Sequence, residues 1–320
     1  MVGAESYEIQ LLPPTKVDKA LWDKIVLQST NGSFFAAYDY LQQMAPAWQG
    51  LVIGAYEAVL PLIYKTKYGI RYLTTLPFVR QLGLIGQLPV QMQTHAGYAA
   101  IFEKIHDFAR YGDISFNHSN QAALSDAGLG QAIKELPNFE LNLNKPYGHL
   151  AGGYQKSLQG KIRRLEKKAA LEWQPADSHD VINAYQDLLA KKAGLDLKVD
   201  FKRLHLLVDD DFGNAHFTAY QVKEKDSKGQ ALLYGIYGKD KYRVYKFMTA
   251  ASPAGRKQQA GVFALDKLIA MHAGTDYKLD FMGSGLMGVR SFIESFGAIN
   301  QPYFLYHYNH LPWPLSLAKK

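Results

Sequence analysis

One order of elements runs through this 320-residue chain twice: helices, a hairpin, a long helix, a strand, a short helix and a final strand. A repeated order of this kind constrains the chain to build two similar units, each burying a sheet face under its own helices. In the first half a short strand at 7–12 precedes helices at 16–28 and 35–44. Apolar runs at 51–55 and 59–64 around Tyr56-Glu57-Ala58 have the form of a tight hairpin. A helix follows with Ala99, Phe102, Ile105, His106 and Ala109 on one face, then strands at 113–116 and 139–143. The second half predicts helices at 154–170, 181–193 and 201–208 and strands at 215–224, 230–238 and 241–250. A helix at 257–272, stopped by Gly274, leads to a strand at 278–281, a short helix and a last strand at 303–308. The junction falls at Asn144-Lys145-Pro146-Tyr147-Gly148, giving domains 1–145 and 146–320 and an α+β fold class.

Composition narrows the chemistry. With 48% apolar and 13% aromatic residues the chain fills real cores. The absence of cysteine excludes a catalytic thiol, a disulfide scaffold, an iron-sulfur cluster and a Cys-liganded zinc. The 10 histidines contain no HExxH, so no metal site is expected. Lys and Arg outnumber Asp and Glu by 36 to 29, which favours anionic partners. Residues 1–14 carry Glu5 and Glu8 and no apolar core of signal length, and no run reaches the ~18 residues of a spanning helix, which predicts a cytoplasmic protein.

The sharpest local pattern is Leu279-Asp280-Phe281-Met282-Gly283-Ser284, followed by Gly288, Phe292 and Ser295-Phe296-Gly297-Ala298. It reads as a strand ending in a tight turn, where Gly283 and Gly285 permit conformations closed to other residues and Asp280 and Ser284 bond local amides. In the first half stand Tyr38-Asp39-Tyr40-Leu41, Met44-Ala45-Pro46-Ala47-Trp48, Leu60-Pro61-Leu62, Lys67-Tyr68-Gly69-Ile70 and Pro77-Phe78-Val79-Arg80-Gln81-Leu82-Gly83. Together these segments resemble the bacterial FemAB-like branch of the GNAT superfamily of N-acetyltransferases, in order and over nearly the whole chain. The chain departs from the peptidoglycan-bridge enzymes in lacking an evident long helical-hairpin insertion, and in having Arg80 where Gln is commoner. The resemblance implies two tandem GNAT-like domains, each a mixed central sheet flanked by helices, with the donor site in the C-terminal one. It implies transfer of an acyl group from an activated donor, acyl-CoA first, to an amine by direct attack, with no tightly bound cofactor. The alternatives are an aminoacyltransferase using aminoacyl-tRNA on a cell-wall precursor, and a non-catalytic GNAT-like binding protein.

Candidate residues follow from that frame. The donor arm is expected along the strand containing Met248, with its phosphates on the loop of Gly255, Arg256, Lys257 and Gly261, where helix-end amides and cations favour anions. Phe263 stands where an acetyl-CoA loop wants a small residue. Asp280 is a candidate base and also a ready cap for its own turn. Tyr303 is a candidate general acid, against a packing role common to strand aromatics. For an amine acceptor, such as a nucleotide-sugar or peptide precursor, the candidates are Arg80, Gln81, Gly283, Ser284 and the cations Arg163 and Arg164. The latter pair sits in a segment with Lys156, Lys161, Lys167 and Lys168 against only Glu166 and Glu172, suited equally to a tRNA stem or a solvated helix face.

Overall fold

The computed structural model describes residues 7–190, 197–226, 229–283 and 287–318. They form two compact units, Met1–Leu136 with Pro302–Lys320, and Pro137–Gln301. Among the described residues no helix is long and apolar enough to cross a membrane.

The first unit holds strands β1 (Ile9–Leu12), β2 (Trp48–Ile53), β3 (Ala58–Lys67), β4 (Ile70–Leu73), β5 (Ile85–Gly86), β6 (Tyr111–Phe116) and β7 (Ile133–Leu136), joined by the last strand of the chain, β15 (Tyr303–Asn309). The sheet order is β1-β2-β3-β4-β6-β15-β7, with β5 on β3. Only β4 and β6 run parallel, meeting at Leu73 and Gly112. Helices α1 (Lys19–Gln28), α2 (Tyr38–Met44), α3 (His95–Phe108) and α4 (Gln121–Asp126) belong to this unit. Local chemistry sets their starts: the Asp18 carboxylate accepts from the Leu21 amide at 3.0 Å and the Thr94 hydroxyl from the Gly97 amide at 3.1 Å. The 3.6-residue stripe of α3 buries Ile101, Phe102 and Ile105 in a core with Ile114, Phe116 and Tyr306.

The second unit holds β8 (Phe139–Asn142), β9 (Leu171–Pro175), β10 (Phe217–Glu224), β11 (Leu233–Lys239), β12 (Arg243–Ala251), β13 (Lys278–Asp280) and β14 (Ile299–Asn300). The order β14-β8-β13-β12-β11-β10-β9 has one parallel pair, β12 with β13. Around it lie α5 (Tyr147–Gly152), α6 (Lys156–Lys168), α7 (Ser178–Tyr185), α8 (Lys198–Asp209), α9 (Asp211–His216), α10 (Pro253–Lys257), α11 (Ala260–His272) and α12 (Met287–Glu294). The helix predicted at 257–272 begins at Ala260, because Gln259 takes a left-handed φ of +62° and separates it from the short α10. The two sheets are mixed and helix-flanked, giving two α+β units in tandem.

The units depart from a simple cut at 145. The strand at 139–142, predicted to complete the first half, pairs instead with β13 and β14 in the second sheet. The strand carrying Tyr303 pairs with β6 and β7 in the first. Each sheet therefore takes one strand that the predicted division assigns to the other half. The cause is local: only Pro137-Asn138 separates β7 from β8, and only Gln301-Pro302 separates β14 from β15. A two-residue hairpin that matches strand twist needs positive φ at its central positions, which proline cannot adopt. None of these four residues has positive φ, so the chain runs on instead of folding back. The two crossings are tied by the Gln301 amide donating to the Asn138 carbonyl at 2.7 Å.

Candidate functional site

In the second unit β12 and β13 stay paired for three residues, from Arg243 opposite Lys278 to Tyr245 opposite Asp280. Beyond them Met282 and Gly283 adopt left-handed φ of +63° and +76° and turn the chain away, so that edge of β12 has no strand partner from Lys246 onward among the described residues. On its other edge β12 carries a bulge: Met248 faces Ile236 and Tyr245 faces Gly238, so Lys246 and Phe247 together oppose Tyr237. The extra residue brings Lys246 and Thr249 to the same face, which strict alternation forbids.

That face lines a cavity of about 430 Å³ closed by the first turn of α11 and by α12. Its cations are Lys161, Lys246 and Arg256, and no carboxylate is among its described lining residues. The half-buried Lys246 donates from Nζ to Thr249 Oγ1 at 2.8 Å, and burial lowers its pKa to about 8. Arg256 donates from Nη1 to the Ala251 carbonyl at 2.7 Å, which holds its guanidinium at the rim. Gly261 leaves open space, since a Cβ there would meet nothing within 4 Å. Val262 and Phe263 donate their amides to the Gln259 carbonyl at 3.0 and 3.1 Å, so the Ala260 and Gly261 amides lead the helix at the positive end of its dipole.

The other expected donor residues divide. Met248 is buried in the sheet and is not on the cavity wall. Lys257 is exposed and lies outside the lining. Gly255 is required by packing, since a Cβ would stand 1.9 Å from the Leu232 carbonyl oxygen. Phe263 points to a different groove, beside Leu171, Trp173 and Lys267, and does not obstruct the cavity. Sequence reasoning did not single out Lys246 or Gln259, and it named Lys161 only within the cationic segment of Lys156 to Lys168. A lysine inside the apolar run of β12 was the available signal for the first.

Asp280 is fully enclosed. Its Oδ1 accepts from the Met282 amide at 2.7 Å and its Oδ2 from the Asn138 side-chain amide at 3.3 Å, so it closes the turn that it opens. Beside it Glu140 accepts from Arg243 Nε and Lys278 Nζ, each at 3.3 Å. Burial, and then the neighbouring Glu140 charge, push the Asp280 pKa up to about 7. An unfolded aspartate loses its proton near pH ~4. The native state thus holds the extra proton between about pH 4 and 7, and stability falls as pH rises through that window. Asp280→Asn keeps an acceptor for the Met282 amide and removes the ionisation, so its unfolding free energy is expected to vary less than wild type over this range. Parallel melting profiles for the two proteins would place the proton elsewhere.

The remaining candidates are distributed over both units. Arg163 and Arg164 are exposed on α6, with Arg164 Nε folded back onto the Gly160 carbonyl at 3.1 Å. Gly283 sits in the turn after Asp280, and Ser284 lies outside the described residues. Tyr303 belongs to the first sheet, and so does not extend the sheet of Asp280. There it lines a cavity of about 350 Å³ with Thr75, Pro77, Arg80, Ser115 and Leu136. Gln81 is in the same loop with φ +50°. That loop is clamped by three asparagines the sequence did not single out. Asn117 Nδ2 donates to Leu82 O and Asn31 O, Asn120 Oδ1 accepts from the Leu84 amide, and Asn31 bridges Leu84 O and Gly86 O. Gly83 is held to glycine by its φ of +106° and by Asn120 Oδ1, 2.0 Å from where a Cβ would stand.

Comparison with solved structures matches this architecture over almost the full chain. FemX superposes with a TM-score of 0.67 at 12% identity, covering 97% of this chain and 99% of its own. The fold is that of FemX. A FemX-like arrangement is also found in a conserved protein of unknown function from Bacteroides thetaiotaomicron, with a TM-score of 0.61, 12% identity and coverage of 95% and 100%. The C-terminal domain of a putative lysylphosphatidylglycerol synthetase from Agrobacterium fabrum follows at 0.55 and 10%, covering 94% of each chain. No protein-family model and no curated protein matches the sequence. The FemX-like fold is thus shared at identities that establish architecture alone.

Proposed function

We propose that this protein is an acyltransferase whose 137–301 unit binds an activated, phosphate-bearing acyl donor, acyl-CoA in the first instance, and passes the acyl group to an amine by direct attack. The observation that carries the reading is the cavity beside the open edge of β12, whose described lining holds three cations and no carboxylate. An anion at the α11 terminus is stabilised by the dipole and by Arg256, while the unpaired strand edge offers backbone groups to an extended arm. Direct attack requires positioning and a stabilised tetrahedral oxyanion, and no covalent intermediate or resident cofactor. The nucleophile is the acceptor's own amine, and the reaction is placed in the cytoplasm.

A second reading uses aminoacyl-tRNA. It is favoured by the likeness to a putative lysylphosphatidylglycerol synthetase and by the exposed cations of α6. Titration calorimetry with CoA, an acyl-CoA and an aminoacyl-tRNA separates the two. Arg256→Ala is expected to raise the dissociation constant for the true donor about 10-fold, the lower end for a charge-assisted hydrogen bond, because Arg256 sits at the rim. Absence of binding to all three ligands would overturn the assignment.

A further inference from the structure

The β3–β4 hairpin extends past its sheet, since of β4 only Leu73 pairs with β6. Its turn residues Tyr68 and Gly69 both have positive φ, +51° and +75°. A tyrosine in the left-handed region is strained, and sites that retain such strain are candidates for function. This one holds Tyr68 at the tip, 90% exposed. Around it Lys65, Lys67, Ile70 and Arg71 are exposed, and residues 64–73 contain no acid. None of the three cations makes an ion pair with a described residue; Lys67 lies over the Tyr68 ring, and Arg71 over Tyr64 and Phe108. Leu311 and Leu315 share a 170 Å³ hollow with the hairpin, and the same segment exposes Trp313 by 80% and Leu317 by 65%, again without an acid.

We infer that the β3–β4 hairpin and residues 311–317 form a surface that docks on an anionic phospholipid bilayer. Tyr and Trp with apolar bodies and polar edges settle at the headgroup level, and lysine and arginine stems reach from apolar contact to the phosphates. The acid-free cationic rim complements an anionic leaflet, and the same like charges oppose self-association of two copies through this face. The inference stands apart from the transfer reaction, since none of these residues lines the cavity of the 137–301 unit.

Vesicle co-sedimentation of the full chain tests it. Binding is expected to phosphatidylcholine vesicles containing phosphatidylglycerol, to weaken with salt, and to be small with phosphatidylcholine alone. Each basic side chain near an anionic surface contributes about five-fold to partitioning, so the triple variant Lys65→Gln, Lys67→Gln, Arg71→Gln is expected to bind about 100-fold more weakly. Tyr68→Gly suits the left-handed turn, so it is expected to keep the melting temperature while losing several-fold in binding. Trp313 is the most exposed tryptophan, and its emission is expected to shift to the blue on binding. No binding at any lipid composition, equal binding to neutral vesicles, or a dimer formed through this face each overturns the proposal.

Discussion

Replacing Lys246 with methionine is expected to stabilise the protein and abolish tight donor binding together. Among the described residues the ammonium has one side-chain partner, Thr249 Oγ1, and its cavity is lined by no carboxylate. Because its pKa falls from the ordinary lysine value to about 8, the native state gives up a proton that the unfolded chain keeps until higher pH. Stability from this group is present above about pH 10 and is lost as pH falls through about 8, so at pH 7 the lysine is a net cost. Methionine fills a similar volume without the charge, and a gain of about 2 kcal/mol at pH 7 is expected, or roughly 5 °C in melting temperature. The gain should fade between about pH 8 and 10. Donor affinity is expected to fall by about 100-fold, as for loss of a shielded charge-assisted bond to an anion. Denaturant unfolding and calorimetric titration on the same preparations check both. A destabilised variant would mean that the lysine is paired, and an unchanged affinity would remove it from the donor site.

Gly255→Ala is expected to destabilise the second unit by about 3 kcal/mol with little selective effect on donor affinity in the fraction that stays folded. The added methyl meets the Leu232 carbonyl oxygen, a backbone atom just before β11 that also accepts from the Ser252 amide at 3.0 Å and from its hydroxyl at 3.2 Å. Neither side moves without breaking the turn that launches α10. For a unit of this size the melting temperature should drop by roughly 10 °C. The opposite pattern, normal stability with lost affinity, would return the glycine to the role of a close approach for the donor.

Much of the architecture was legible because it is written locally. The α3 stripe, the apolar runs of β2 and β3, the Asp280-to-Gly283 turn and the twofold order of elements rest on patterns and turn chemistry that span a few residues. The parallel, adjacent pairing of β12 and β13 agrees with that order. The exchange of β8 and β15 was not read, although Pro137 and Pro302 stand at equivalent crossings. Local pattern says that a strand exists, while its choice of neighbour depends on edges separated by more than a hundred residues.

The site divides along the same line. Sequence alone determined two α+β units, the turn that Asp280 closes, and a cationic loop before α11, because each depends on neighbours in the chain. Tertiary structure decided that Lys246 faces the cavity, since one extra residue opposite Tyr237 reverses the alternation. It also decided that Phe263 faces away, that Gly255 serves packing, and that Asn31, Asn117 and Asn120 hold one loop. Such assignments depend on which distant backbone a side chain meets, and no spacing within the chain encodes that meeting.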